Sequence, residues 1–270
     1  MRWASFLVVA TAFFLGRTER ATAAVVNLAP NKDNTLIQQT LPASQLSNGQ
    51  GDIFVGRTNQ DGQGPATISI RRGLLAFDVA SSVPAGSVVT AVTLTMRDVM
   101  GLNGDPTVEL HRVSQDWGEG SSFQNGGMGA AAQTGDATWL YRFFNVADPT
   151  SSPAWTTPGG DFSAAVSASS IISDDLGSGQ LFSWTSAQMV VDVQGWLDNP
   201  ASNFGWLLFG NEAQGQTAKR LNSGESTIPP NLAPLLQIEY LHVPEPGGFA
   251  LGAFSLAALA LGKRRARRRV

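Results

Sequence analysis

Val88-Val89-Thr90-Ala91-Val92-Thr93-Leu94-Thr95-Met96-Arg97-Asp98-Val99 is the stretch that decides the fold. Val88, Val92, Leu94 and Met96 share one face with Thr90, while Thr93, Thr95 and Arg97 face the other way. A period of two, carried by β-branched side chains, reads as a strand with one buried face. Upstream, Val83-Pro84-Ala85-Gly86 reads as a turn. Before it, Arg71 to Val79 reads as a second strand, with Leu75, Phe77 and Val79 alternating against Leu74, Ala76 and Asp78. Downstream, Gly101 to Pro106 turns, and Thr107 to Val113 is the expected antiparallel partner of Val88–Val99. Shorter extended runs lie at Val25–Leu28, Thr35–Gln38, Ile53–Gly56, Phe204–Phe209, Lys219–Leu221 and Leu235–Leu241.

Within the body, Ser186 to Leu197 is the one stretch that argues for a helix. Met189, Val190, Val193, Trp196 and Leu197 recur at near-helical spacing, Ser186 can cap the start, and Asn199-Pro200 ends it. Short strands and many turns predict an all-β chain, an antiparallel β-sandwich or jelly roll with one short helix.

Composition narrows the chemistry. The chain has no cysteine, and its only histidines are His111 and His242, which excludes thiol nucleophiles and Cys/His zinc sites. No Walker loop, dinucleotide fingerprint or Gly-x-Ser-x-Gly elbow is present. Residues 24–243 hold nine basic and nineteen acidic side chains, near −10. Such a body repels phosphate backbones, so nucleic acid is not an expected partner. With no disulfides, stability must come from a packed core, and about 220 residues suffice for one.

Both ends of the chain read as targeting segments. Arg2, an apolar run from Trp3 to Leu15 and Ala21-Thr22-Ala23 make a secretory signal helix over residues 1–23, cut after the small Ala21 and Ala23. At the other end, Val243, Pro244, Glu245 and Pro246 precede an apolar run over 247–262 and a basic tail over 263–270, with Lys263, Arg264, Arg265, Arg267, Arg268 and Arg269. An apolar helix stopped by a basic cluster is held in a bilayer with its charges on the cytoplasmic face. The run of 16 residues is shorter than the ~20 of a comfortable span, which suits a transient anchor. Residues 244–270 resemble the PEP-CTERM sorting signal of Gram-negative bacteria. The resemblance implies recognition and cleavage by an exosortase, and a body exported to the cell envelope or extracellular surface after transient inner-membrane anchoring.

A second resemblance runs through about residues 30–240 of the body, which spans residues 24–243. Asp33-Asn34-Thr35-Leu36-Ile37-Gln38, Arg71-Arg72-Gly73-Leu74-Leu75-Ala76-Phe77-Asp78-Val79 and Val83-Pro84-Ala85-Gly86-Ser87 come first. Asp116-Trp117-Gly118-Glu119-Gly120, Asn203-Phe204-Gly205-Trp206-Leu207-Leu208 and Pro234 to Tyr240 follow in order. Together they are similar to the DNRLRE-type domain, related to family 96 carbohydrate-binding modules. That resemblance implies a β-sandwich with an extracellular, glycan-related role, and it carries over no binding residues.

Sugar sites use exposed rings. Trp139, Tyr141 and Trp155 lie in loop-like segments and are the candidate glycan-binding residues, the alternative being that they fill the core. Trp117, Trp196, Trp206 and His111 read as structural, and Trp184 is open. Asp116 and Glu119 read as a turn with Trp117 beneath it, although a glycosidase also needs two carboxyl groups. Asp174 and Asp175 could offer oxygen ligands to calcium without an EF-hand pattern, and no other cofactor is implied. Gly118 to Gly135 reads as a mobile surface loop, and residues 147–162 as a second long connection. The expected function is therefore non-catalytic glycan binding in an exopolysaccharide matrix. The alternatives are a structural matrix or surface-coat protein without a ligand, and a polysaccharide lyase or hydrolase using Asp116 or Glu119. The expected partners are the exosortase, a polysaccharide and, before processing, the membrane.

Overall fold

The computed structural model describes residues 21–42, 44–59, 69–101, 104–173, 179–226 and 232–242. The strands are β1 (Thr22–Leu28), β2 (Lys32–Ile37), β3 (Leu46–Ser47), β4 (Ile53–Arg57), β5 (Ile70–Ala76), β6 (Val88–Gly101) and β7 (Thr107–Val113). β8 (Ala130–Ala131), β9 (Phe162–Ile171) and β10 (Leu181–Thr185) precede helix α1 (Ala187–Asp198), and β11 (Trp206–Phe209), β12 (Lys219–Leu221) and β13 (Leu235–His242) close the fold.

One path of neighbours, β1-β13-β6-β12-β4-β5-β11-β7-β9, curls the sheet over, with β10 added to β6 and β2 to β5. The result is mostly β, antiparallel and sandwich-like, with one α-helix among the described residues. β6 is the hinge of the curl. Its first half pairs with β13 and β10, and its last residues pair with β12, which hands the ladder on to β4 and β5.

That arrangement corrects the expected pairing of Val88–Val99 with Thr107–Val113. β7 pairs with β11 and β9, in the opposite half of the curl. Both sides of β6 are already taken by β13, β12 and β10, so its successor crosses over rather than folding back. The alternation inside β6 also shifts. Glu239 pairs with Ala91 but Tyr240 pairs with Val89, leaving Thr90 as an extra residue. One extra residue reverses the facing of everything beyond it. Val89 is therefore buried, and Val88 is 48% exposed.

The core lies inside the curl. Val92, Leu94 and Met96 of β6, Leu236 and Ile238 of β13, Leu75 of β5, Val108 and Leu110 of β7, and Trp206 and Leu208 of β11 form one buried cluster. Helix α1 adds Met189, Val193, Trp196 and Leu197. Full burial of side chains of this size stabilises by about 1.5–3 kcal/mol each. Ser186 caps the helix by accepting from the Met189 N–H at 3.0 Å, a contact worth ~1 kcal/mol. Asp192, buried beneath α1, accepts from the Trp206 indole at 3.0 Å and from Gln188 at 3.1 Å, and also from the Ser167 hydroxyl.

The alternate residues of β5 and β11 do not meet water. Leu74, Ala76 and Leu207 point away from the core into a second cluster with Leu36, Val113, Trp117, Ala137, Trp139 and Trp155. Residues 114–162 thus form a layer over the outer face of this half of the sheet. This is why Leu74-Leu75-Ala76-Phe77 and Trp206-Leu207-Leu208 read as nearly continuous apolar runs: both faces are covered.

The stretch Gly118–Gly135, read as a mobile loop, is fastened down. Buried Asp136 accepts from the N–H groups of Ser121 at 2.7 Å, Ser122 at 3.3 Å and Gln133 at 2.7 Å. Arg71, fully buried, donates to the Gly127 carbonyl at 2.6 Å, and its pKa is lowered to about 10 by desolvation. β8 pairs with β3 across the same segment.

Candidate functional site

The three rings expected to stack on sugar are interior residues. Trp139, Tyr141 and Trp155 are each less than 10% exposed, at 7%, 9% and 5%. The Trp155 indole donates to the Thr138 carbonyl at 2.9 Å. Trp139 carries the Arg72 guanidinium 4.8 Å from its ring centroid. Tyr141 packs on Phe144 with centroids 5.7 Å apart. None presents an open face, which corrects their reading as a stacking platform. The apolar outer face of β5 and β11 needs a cover, and Trp139 and Trp155 supply it.

The structural readings of Trp117, Trp196, Trp206 and His111 agree with their placement, and Trp184, which the sequence left open, is interior as well. Trp117, Trp184, Trp196 and Trp206 are fully buried, and Trp184 donates to the Val108 carbonyl at 2.9 Å. His111 packs edge-on between Phe162 and Phe209, at 5.2 and 5.8 Å between centroids. Ala21 and Ala23 are exposed at the start of β1. Residues 1–20, the motif Val243, Pro244, Glu245 and Pro246, the apolar run, the basic residues Lys263 to Arg269, and the calcium candidates Asp174 and Asp175 lie outside the described residues.

Two features at or beside the outer layer are candidate sites. The first is an open polar groove of about 370 Å³ lined by Ser114, Gln115, Thr156, Thr157, Asp161 and Phe162. Its floor is set by Asp161, whose carboxylate accepts from the N–H groups of Thr156 at 2.7 Å and Thr157 at 2.8 Å and from the Gln115 amide at 2.5 Å. Of the other lining groups, the Ser114 hydroxyl donates to the Asp161 carbonyl at 3.0 Å and the Thr156 hydroxyl accepts from the Gln115 amide at 3.1 Å, while Thr157 and the ring of Phe162 complete the lining.

The second is a meeting of carboxylates. Asp33 of β2, Glu119 of the Asp-Trp-x-Glu-Gly turn and Glu225 each offer an oxygen, and these oxygens lie within 4.8 Å of one another. The turn is built for this. Asp116 takes the Lys32 ammonium at 2.6 Å, Trp117 plugs the layer and donates to the Phe204 carbonyl at 2.9 Å, and Gly120 has φ +78°. Glu119 then accepts the Asp33 N–H at 3.0 Å, and its own carbonyl accepts from Asn34 at 2.7 Å.

Asp33 is 1% exposed. Its Oδ2 accepts the Gly224 N–H at 2.8 Å, whereas Oδ1 is buried and meets no donor. Desolvation holds the Asp33 carboxyl well above the usual carboxylate range, against the lowering effect of the Gly224 N–H, and Glu225, Glu119 and Asp52 push it further up. Glu119 is raised too, mainly by burial and also by Glu225, with the Asp33 N–H and Lys32 pulling the other way. Sequence reading missed this cluster. The available signal was that two of the stretches carrying the body's resemblance each bear an acid, Asp33 and Glu119; Glu225 carried none.

No protein-family model matches the chain, and no curated protein sequence matches it.

Proposed function

We propose that this chain is an exported, non-catalytic protein of the cell envelope or exopolysaccharide matrix, whose β-sandwich or jelly-roll body binds glycan. The observation that carries the reading is Val243-Pro244-Glu245-Pro246 standing directly before an apolar run and a basic terminus. In this reading residues 1–23 direct export, 247–262 hold the chain in the inner membrane, and an exosortase cuts at the Pro-Glu-Pro motif. The acidic body suits a polymer of neutral or basic sugars better than a phosphate backbone. The groove around Asp161 supports glycan as the ligand, since it is open and lined by polar side chains with one aromatic residue, Phe162, a mixture that suits a sugar's hydroxyls and C–H surface. The non-catalytic reading is supported by the engagement of Asp116 with Lys32 and of Glu119 with the backbone of Asp33.

The test is retention of the purified protein on the producing cell's own exopolysaccharide, with Thr157→Ala and Gln115→Ala as groove variants. Retention lost in the variants supports the reading, and no retention of the parent protein removes it. Mass spectrometry of the mature protein from its native envelope locates both cuts, and an uncut tail would remove the sorting step.

A second reading, a structural matrix protein, is favoured by β9. This edge strand, Phe-Ser-Ala-Ala-Val-Ser-Ala-Ser-Ser-Ile, pairs with β7 alone among the described residues and carries no charge. Uncharged edges template pairing with further copies. Self-association without glycan, abolished by Val166→Lys, would favour this reading.

A further inference from the structure

Metal-free, the trio of Asp33, Glu119 and Glu225 is costly. Three acids converge where one is almost wholly buried, and Lys32, the base that acts on Glu119, has its ammonium bonded to Asp116 at 2.6 Å and to the Trp117 carbonyl at 2.7 Å. A buried carboxylate oxygen with no donor is destabilising unless something pairs with it. Asp33 Oδ1 is such an oxygen, and it belongs to the carboxyl placed among the other two.

We infer that Asp33, Glu119 and Glu225 form a divalent-cation site of calcium class, which pins β2 to the Asp-Trp-x-Glu-Gly turn and to the segment after β12. The donors are all carboxylate oxygens, the chemistry of a hard cation. Calcium–oxygen distances of about 2.3–2.6 Å put opposed ligands roughly 4.6–5.2 Å apart, and the three oxygens lie within 4.8 Å of one another. Asp33 uses Oδ2 for Gly224 and Glu119 uses Oε1 for Asp33, so each keeps a second oxygen, and water completes the shell. Glu225 is exposed, so the cation has an entry path. On binding, the cation displaces the proton that burial favours on Asp33, and that proton leaves to solvent. The site is independent of any glycan bound at the groove.

The experiment is thermal unfolding of the full chain in EDTA, then with calcium or magnesium at matched ionic strength, with direct calcium binding by equilibrium dialysis. At a hundredfold excess over Kd, calcium should raise the midpoint by about 5–10 °C, magnesium should raise it less, and one ion should bind per chain. Asp33→Asn should lose the calcium shift while being at least as stable as the parent protein in EDTA, because the acid that burial and its acidic neighbours disfavour is replaced by a neutral group of the same shape. Glu225→Gln, an exposed substitution that leaves folding intact, should weaken calcium binding at least tenfold. The inference is overturned by the absence of a calcium shift in the parent protein, by a shift that survives both substitutions, or by an equal response to magnesium.

Discussion

The backbone N–H of Asp33 donates to Oε1 of Glu119 at 3.0 Å, across 86 residues of chain. It joins the second strand of the body to the turn that begins the outer layer. Next to it, Asn34 donates to the Glu119 carbonyl at 2.7 Å and accepts the Ser47 hydroxyl at 2.8 Å. The carboxylates of Asp33 and Glu119 are thus held by backbone N–H groups, and among the described residues neither has an ion-pair partner of its own, since the ammonium of Lys32 is bonded to Asp116.

Stability in EDTA should record that charge. Asp33 and Glu119 have folded-state pKa values raised above their unfolded ones by burial and by Glu225, with Asp52 also acting on Asp33 and Lys32 opposing at Glu119. A raised acid contributes stability that is fully present below its unfolded value, about 4, and lost as pH rises through its folded value. The urea midpoint of the parent protein should therefore fall relative to Asp33→Asn as pH rises above about 4. A gap that stays constant with pH would contradict the linkage.

Arg72 is clamped on three sides. It donates to both oxygens of Glu212 at 2.6 and 3.0 Å and to the Gly159 carbonyl at 2.8 Å, and the rings of Trp139 and Phe209 lie 4.8 and 4.9 Å from its guanidinium carbon. Glu212→Gln leaves a largely buried cation without its counter-charge and should cost about 2–3 kcal/mol in urea unfolding. Arg72→Lys keeps the charge but loses the fork and the stacking, and should cost about 2 kcal/mol. Losses under 0.5 kcal/mol in both would mean the clamp is ornamental.

Gly205 and Gly86 form a matched pair. Both have positive φ, +75° and +76°, so alanine at either is strained by roughly 1 kcal/mol. At Gly86 a Cβ meets open space, whereas at Gly205 it would run into the carbonyl oxygen of Leu75. Gly86→Ala should cost about 1 kcal/mol and Gly205→Ala more than ~3 kcal/mol by the same denaturation assay. Equal losses would show that backbone conformation alone decides both positions.

Trp155 separates packing from recognition. Trp155→Ala should destabilise by about 3–5 kcal/mol through the cavity it opens, and Trp155→Phe by less, losing chiefly the bond to Thr138. Retention on exopolysaccharide should be unchanged in Trp155→Phe at temperatures where the variant is folded. Loss of retention with full stability would restore the ring to a binding role.

Much of the fold is legible locally. Residues 88–99 alternate, Ser186 caps a helix whose apolar stripe is buried, and Asn199-Pro200 ends it. β9 and β10 escaped because Phe-Ser-Ala-Ala-Val-Ser-Ala-Ser-Ser-Ile and Leu-Phe-Ser-Trp-Thr show little contrast between faces. Their pairing is decided by β7 and β6, far away in sequence. The pairing of β6 with β7 was misread because proximity in sequence favours a hairpin, and nothing local reveals that both edges of β6 are occupied.

By itself the sequence determined the class of elements, the turn chemistry of Asp116 to Gly120 and the acidic character of the body, because these rest on periodicity, on φ and on charge within a few residues. Only the tertiary structure decided that Trp139, Tyr141 and Trp155 are buried and that Asp33, Glu119 and Glu225 meet. Burial and charge convergence depend on which distant segments cover a face, and that is settled when the sheet curls and residues 114–162 close over its outer side.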